Sequence, residues 1–409
     1  MKYVSRKASV LLAAFSTLAS ISTSAIAKPI YMIENLGTVG APQSSSSAVA
    51  LNESGQVVGT YTNDNGDNQA FVWDALNGMQ SLGTLGGNYS SATDINNHGQ
   101  IVGVTGTAVE GQESGFIYEN GVMSQILDLT PSQSGAIKSS TARGINDAGQ
   151  IVGSHSEAVY NDQFQYFEPV HKETFLKTGD DLQLSGRLDI NEGPYSSVDH
   201  IGANALNENG DYTGLAFSEF NGGSLEVFVK RRNQDIVGIG NLGGFVGFGF
   251  DINDNGTVVG RSRLEDREDG YHAFIYTDLL GMIDMNDVFG FESSNLRNIN
   301  NSNMAVGWGS NTFATVDQEP VFTPFLFDVD GNKTFFLNDF LDVDSDFASL
   351  DFAYSINENN DIVGYGTTKD GHQRAFLMSF QGEVPEPSTI ALLMSAILML
   401  AAKRKFNAK

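Results

Sequence analysis

The chain has no cysteine, so neither a disulfide framework nor a thiolate metal site is open to it, and the fold must be held by packing and hydrogen bonds alone. Basic residues are scarce, with 23 Lys and Arg against 49 Asp and Glu and a formal net charge of −26 over 409 residues. Many of the cations stand at the two ends, Lys2, Arg6 and Lys7 at the start and Lys403, Arg404, Lys405 and Lys409 at the finish, so the body between them is more acidic still. Phosphate backbones are bound by basic faces, and this balance excludes nucleic acid as a partner. It fits instead a dispersed exported protein, with cation binding or contact with a basic or polysaccharide matrix as alternatives. No G-x-S-x-G, H-E-x-x-H or G-x-x-x-x-G-K-[ST] signature occurs. The six histidines, His98, His155, His171, His200, His272 and His372, lack metal-ligand spacing and read as surface residues.

What is present is a repeat. ALNESGQVVG at residues 50–59 returns as DINNHGQIVG, GINDAGQIVG, ALNENGDYTG, DINDNGTVVG, NINNSNMAVG and SINENNDIVG. The asparagines are Asn52, Asn96, Asn146, Asn207, Asn253, Asn300 and Asn357, and each is followed seven residues later by a closing glycine, Gly59, Gly103, Gly153, Gly214, Gly260, Gly307 or Gly364. Apolar residues on both sides of a polar N-x-x-G predict two short strands around a turn. In that turn Asn bonds the backbone two residues on, and the fourth position, Gly55, Gly99, Gly149, Gly210, Gly256, Asn303 or Asn360, adopts positive φ. The closing glycine marks a bulge or a close approach to the neighbouring unit.

A third strand is centred on Phe71, Phe116, Phe175, Phe228, Phe274, Phe325 and Phe376, read as packing between units, and a fourth is visible in places, as in SLGTLGG. Repeats of roughly 50 residues with four strands each predict an all-β fold, a β-propeller of seven four-stranded blades. An extra strand before the first repeat resembles the fourth-strand text, and the seventh repeat stops after its third strand. Residues 30–36 are therefore expected to supply the missing outer strand of the last blade, removing two open sheet edges.

The literal His272-Ala273-Phe274, together with SLGTLGGNYSSATDINNHGQIVG, resembles the extracellular HAF repeat, a resemblance covering nearly all of residues 30–380. Other copies carry Gln69, Glu113 or Arg374 near the histidine position, so His is not a ligand required in every unit. The resemblance implies an extracellular repeat protein and no particular chemistry.

Residues 1–27 read as a secretory signal peptide, with a basic start, an apolar stretch from Val10 to Leu18 and a small-x-small site ending at Ala27. Residues 28–382 are the repeat domain. Residues 383–409 carry Val384-Pro385-Glu386-Pro387, an apolar run from Ile390 to Ala402 and a basic end. That order is similar to the PEP-CTERM sorting signal of Gram-negative bacteria that make exopolysaccharide. It implies an exosortase acting at Pro385, Glu386 and Pro387, and sorting to the cell surface or matrix by way of a transient inner-membrane anchor.

No cofactor is expected. Two acidic runs alternate carboxylates as a calcium loop does, Asp328 with Asp330, and Asp342 with Asp344 and Asp346, but Lys333 and Phe347 stand where the loop needs glycine. Solvated loops are the preferred reading, and calcium the alternative. The candidate binding element is a long insertion in the third repeat, between Gly153 and Phe175, which carries Tyr160, Phe164, Tyr166 and Phe167. An aromatic loop there, on the face opposite the N-x-x-G turns, suits sugar rings, with a local satellite core as the competing reading. The function expected is that of a non-catalytic exported scaffold interacting with exopolysaccharide or envelope components. A carbohydrate-active hydrolase or lyase using two channel carboxylates is the alternative, and no pair stands out among the acidic residues.

Overall fold

The computed structural model describes residues 28–384, except 128, 130–136, 162–165, 186–200, 219–223, 266–269 and 312–320. Ala27, Pro385, Glu386, Pro387 and the apolar run 390–402 lie outside the described residues. Among those described, no helix is long and apolar enough to cross a membrane.

Each N-x-x-G turn forms as its residues dictate. The fourth-position N–H donates to the Asn carbonyl, as in Gly99 to Asn96 at 3.0 Å, and Gly99 has φ +76°. In copies six and seven Asn303 (φ +57°) and Asn360 (φ +65°) take the left-handed place. The Asn side-chain oxygen accepts from the N–H two residues on in three copies, at Ser54, His98 and Ser302. In all seven it also accepts from the residue four on, from Gln56 at 3.0 Å through to Asp361 at 2.8 Å.

The turns join the first two strands of seven four-stranded antiparallel groups: blade 1 (46–81), blade 2 (86–125), blade 3 (137–185), blade 4 (201–240), blade 5 (243–284), blade 6 (293–336) and blade 7. Blade 7 runs Phe347–Ile356, Ile362–Thr368, Gln373–Val384 and, as its outermost strand, Lys28–Asn35 from the start of the chain. The fold is a β-propeller. By compactness the described chain divides into two units: residues 33–379, which hold the blades' inner strands and turns, and the chain ends, where the Tyr31 and Phe380 rings pack 5.7 Å apart.

One departure from seven separate sheets appears. A single parallel bridge, Leu225 to Val246, ties blade 4 to blade 5. The first strand of blade 5 is rich in glycine, and Gly247 and Gly249 lie so close to Val227 and Thr213 that a methyl group there would meet them at 3.0 and 2.4 Å.

There is no single core. The buried side chains fall into clusters, each drawn chiefly from two neighbouring blades, as where Val363, Ala375 and Leu377 of blade 7 meet Ala48, Val57 and Phe71 of blade 1, with Leu36 added from the N-terminal segment. All seven repeat phenylalanines are 0% exposed. Burying each contributes about 1.5–3 kcal/mol, which makes the blade-to-blade contacts the main apolar stabilisation of the ring. In four blades the residue before the phenylalanine is also tied across. Ala70, Gly115, Ala273 and Ala375 donate their N–H to Ser90, Ser140, Ser294 and Ser46 of the next blade.

Candidate functional site

The closing glycine has a definite role. In every blade the pairing of the first two strands slips by one residue opposite it: Ala48/Ala50, Ala92/Asp94, Ala142/Gly144, Ala203/Ala205, Gly249/Asp251, Leu296/Asn298 and Ala353/Ser355. A Cβ on the glycine would fall 1.9–2.1 Å from a carbonyl oxygen of that first strand. The bulge half of the expectation therefore holds, but the close approach is to the glycine's own blade and not to a neighbouring unit. The bulge needs the space a side chain would fill.

A bulge leaves one residue unpaired and re-aims its side chain. The skipped residues are Val49, Thr93, Arg143, Asn204, Phe250, Arg297 and Tyr354, and all seven line one cavity of about 440 Å³. It is walled by the first strands and floored by the N-x-x-G turns, so it is the propeller's central channel. The position three residues before each repeat asparagine is thus the channel position. Its signal in the sequence is that it varies freely opposite an invariant glycine.

Two closed rings of hydrogen bonds frame the turn end of the channel. Each repeat asparagine donates from Nδ2 to the backbone carbonyl of the next one: Asn52 to Asn96 (3.1 Å), Asn96 to Asn146 (3.0 Å), Asn146 to Asn207 (3.1 Å), Asn207 to Asn253 (2.9 Å), Asn253 to Asn300 (3.0 Å), Asn300 to Asn357 (3.0 Å) and Asn357 back to Asn52 (3.2 Å). All seven asparagines are buried. The turn alone would accept aspartate, but only the amide has both an acceptor for its own turn and a donor for the next blade. In the second ring the following residue's N–H donates to the corresponding side chain one blade on, through Glu53, Asn97, Asp147, Glu208, Asp254, Asn301 and Glu358. Glu208 and Glu358 are raised above the ordinary carboxylate range, chiefly by burial.

Deeper in the wall stand Asp94 and Asp251. Burial pushes Asp94 up to about 7 and Asp251 up to about 6, against the pull of the backbone N–H groups they accept. Asp94 accepts from Ile95 and, across the blade boundary, from Ile145 at 2.8 Å; Asp251 accepts from Ile299 at 2.8 Å and from Asn298 Nδ2 at 2.6 Å. These carboxylates fasten blade 2 to blade 3 and blade 5 to blade 6.

A pH dependence follows. Both carboxyls hold their protons more tightly folded than unfolded, so the unfolded chain binds fewer protons between about pH 4 and 7, and stability falls as pH rises through that window. The thermal midpoint is expected to be higher at pH 5 than at pH 8 by roughly 2–5 °C. Asp94→Asn is expected to shrink that difference, measured by calorimetry at both pH values. An unchanged difference in the variant would remove Asp94 as its source.

Facing these acids are cations. Arg297, half-buried, lies 4.4 Å from the centre of the Phe250 ring, and burial pulls its guanidinium down to about 10. Arg143 is exposed to the channel, and Arg261 sits over Tyr271 (4.2 Å), Phe248 (5.2 Å) and Phe250 (5.5 Å). Tyr354 joins Trp308, Phe352 and Tyr365 in an aromatic group on blades 6 and 7, with centroids 5.4–6.1 Å from that of Tyr354.

The structure corrects the inserted segment of blade 3. It is a paired hairpin and not a loop: Gln150–Asn161 and Tyr166–Thr178 pair out to Tyr160 opposite Phe167 and Asn161 opposite Tyr166, with one register shift between Glu157 and Ala158. Extending the ladder satisfies the backbone groups that a long loop would leave to solvent. The side chains of Tyr160, Tyr166 and Phe167, and Phe164 altogether, lie outside the described residues.

The acidic runs make hydrogen bonds within their own turns and to nearby asparagine side chains. Asp328 accepts from Gly331 N–H at 2.8 Å and Asp342 from Asp344 N–H at 2.9 Å, Asp330 accepts from Asn303 Nδ2 at 3.2 Å, and Asp346 from Asn35 Nδ2 at 3.4 Å. Among the described residues no three His, Asp or Glu side chains gather as a metal site. His272 is not a surface residue: it is 9% exposed, and its Nδ1 lies 2.8 Å from Asp284. The corresponding positions Gln69 and Arg374 reach into the next blade, to the carbonyls of Asn88 (2.7 Å) and Ser44 (2.6 Å), so the place before Ala-Phe holds polar residues that tie connections down.

With this geometry in hand, comparison with known proteins adds one sequence match. Residues 228–384 match a family described as a protein of unknown function, DUF3466. No curated protein matches the chain. Among solved structures, the β-propeller domain of the Trilobed protease from Pyrococcus furiosus aligns over 84% of this chain and 99% of its own at 8% identity and a TM-score of 0.43. A gluconolactonase from Xanthomonas campestris aligns over 86% and 89% at 11% identity and 0.39. The Aleuria aurantia lectin aligns over 84% and 96% at 9% identity and 0.35.

Proposed function

We propose that this chain is an exported, non-catalytic binding module of the cell surface or extracellular matrix, and that its central channel receives a glycan of the exopolysaccharide or envelope. The sorting part of this reading is supported by the resemblance of residues 1–27 and 383–409 to a signal peptide and a PEP-CTERM segment. The binding part is carried by one observation. The turn, the bulge, the closing glycine and the buried phenylalanine are the same in all seven blades, while the one residue each bulge turns into the channel is Val, Thr, Arg, Asn, Phe, Arg or Tyr. A spacer has no use for six different side-chain types at seven equivalent positions around a cavity, whereas a receptor for an asymmetric ligand does.

The mature chain is expected to retain exopolysaccharide on a glycan array at high salt, and Tyr354→Ala is expected to weaken retention at least tenfold. Retention lost instead on changing Tyr160, Phe164 and Tyr166 together to alanine would move the site to the blade 3 hairpin. No retention of any glycan would leave a structural spacer.

The raised carboxyls of Asp94 and Asp251 favour a second reading, a carbohydrate-active enzyme. The oxygens of both, however, accept hydrogen bonds from neighbouring strands, which assigns them to holding blades together. Release of reducing ends from exopolysaccharide, abolished by Asp94→Asn, would reverse that preference.

A further inference from the structure

The channel reverses the charge logic of the molecule. The protein carries a net −26, and yet Arg143 and Arg297 project from bulges into one cavity, with Arg261 close behind. Among the described residues, none of the three has a carboxylate within salt-bridge distance, although acidic residues outnumber basic ones two to one over the whole chain. By contrast Arg231 is paired with Asp211 and Asp278, and Arg374 spends its donors on backbone carbonyls. Asp251 lies near Arg297 and Glu113 near Arg143, but neither closes an ion pair, and cations close enough to repel one another and partly out of water remain incompletely neutralised.

The aromatic residues do not neutralise them, but they set their geometry. The Arg297 guanidinium carbon lies over the Phe250 ring, 4.4 Å from its centre. A guanidinium is planar and presents its donors as a fork that matches a carboxylate. Tyr354, one blade beyond Arg297, lines the same cavity and offers an aromatic surface beside the fork. Arg143, three blades away in the other direction, supplies a second cation. At about 440 Å³ the cavity has room for a sugar residue or two, and not for a folded partner.

We infer that the channel is a binding site for a carboxylate-bearing sugar, of the uronate class, whose acid group is taken by Arg297 and Arg143 and whose ring lies against Tyr354. This rests on the glycan-binding reading and gives it a substrate class. The acidic ring at the turn end, Glu53, Asp147, Glu208, Asp254 and Glu358, repels such a ligand, so it enters and leaves from the end away from the N-x-x-G turns.

The test is calorimetric titration of the full mature chain with a glucuronate oligosaccharide, with its carboxyl-reduced neutral counterpart and with inorganic phosphate. The acidic oligosaccharide is expected to bind at least 10-fold more tightly than the neutral one, and phosphate to compete only weakly. Arg143→Gln and Arg297→Gln are each expected to weaken the acidic ligand by roughly 10- to 100-fold. If Arg297→Gln fails to fold, Arg143→Gln carries the test, since its side chain is exposed. Unchanged affinity in the folded variants overturns the assignment. Equal binding of the neutral oligosaccharide also overturns it while leaving the glycan-binding reading standing. Phosphate binding as tightly as the sugar would sink the sugar part of the assignment. If neither oligosaccharide binds, the uronate assignment falls, and the glycan-binding reading falls with it only if the array also retains no glycan.

Discussion

Gly103→Ala is expected to destabilise the protein by at least about 4 kcal/mol, among the largest effects a single methyl group can have. The added carbon would lie 2.1 Å from the Ser91 carbonyl oxygen and 2.7 Å from the Phe116 ring. Neither neighbour can yield, because Ser91 is held in the bulged first strand and Phe116 is fully buried between blades. The contrast is Gly99, four residues earlier in the same repeat. It has φ +76° but nearly open surroundings, with only the flexible end of Gln56 at 3.3 Å. Alanine there meets only the left-handed backbone penalty, about 1–2 kcal/mol. Urea unfolding of the two variants is expected to separate them by 2 kcal/mol or more. Similar costs would mean that the bulge does not depend on the glycine. If Gly103→Ala folds at all, pushing the strands apart should also re-aim Thr93 out of the channel.

The second large effect belongs to the asparagine ring. Asn253→Ala removes donors to the Asn300 carbonyl (3.0 Å) and Asn303 Oδ1 (3.0 Å) and the acceptor for Thr257 N–H (3.0 Å), all in buried or half-buried surroundings. With about 1–3 kcal/mol for each buried group left unpaired, a loss of roughly 3–5 kcal/mol is expected. Asn253→Asp separates the two roles of the side chain. Aspartate keeps the bond from Thr257 but turns a charged oxygen toward two other oxygens. Its pKa is therefore raised in the folded state, so the variant should regain stability as pH falls toward 4 and lose it as pH rises. Denaturation midpoints of the aspartate and alanine variants between pH 4 and 8 provide the check. An aspartate variant as stable as the parent at pH 8 would show that the donor across the blade boundary is unimportant.

These two residues also show what could be read from the chain and what could not. The N-x-x-G turn, the left-handed fourth position, the seven buried phenylalanines and the outer strand borrowed from residues near the start were all legible, because each rests on local rules of turn chemistry or burial. The asparagine was legible only in part. Its acceptor serves its own turn and follows from sequence, while its donor serves a carbonyl 44 to 61 residues further on in six of the copies, which no local rule reveals. The channel residues were hidden for a related reason. Strand alternation assigns every second residue to a face, and a bulge breaks that alternation at the place where the site is made. Nothing in the sequence pattern therefore singled out Arg143 or Arg297. The aromatic insertion drew attention by its length and composition, yet its backbone proved to be an extension of two paired strands with one register shift. His272 looked superficial because no metal-ligand spacing marked it, whereas it is buried, with Nδ1 2.8 Å from Asp284 on the outer strand of its own blade.

The hydrogen bond from Asn357 to Asn52 spans 305 residues, and Arg374 reaches Ser44 across 330. Until those contacts form, the first and last blades each expose an apolar side built to be covered, Ala48, Val57 and Phe71 on one and Val363, Ala375 and Leu377 on the other. A growing chain cannot hide the blade 1 surface early, since the blade 7 segment that covers it is made last. The slow step of folding should accordingly be the final docking of the two terminal blades, and a chain interrupted before it will tend to pair with a second interrupted chain.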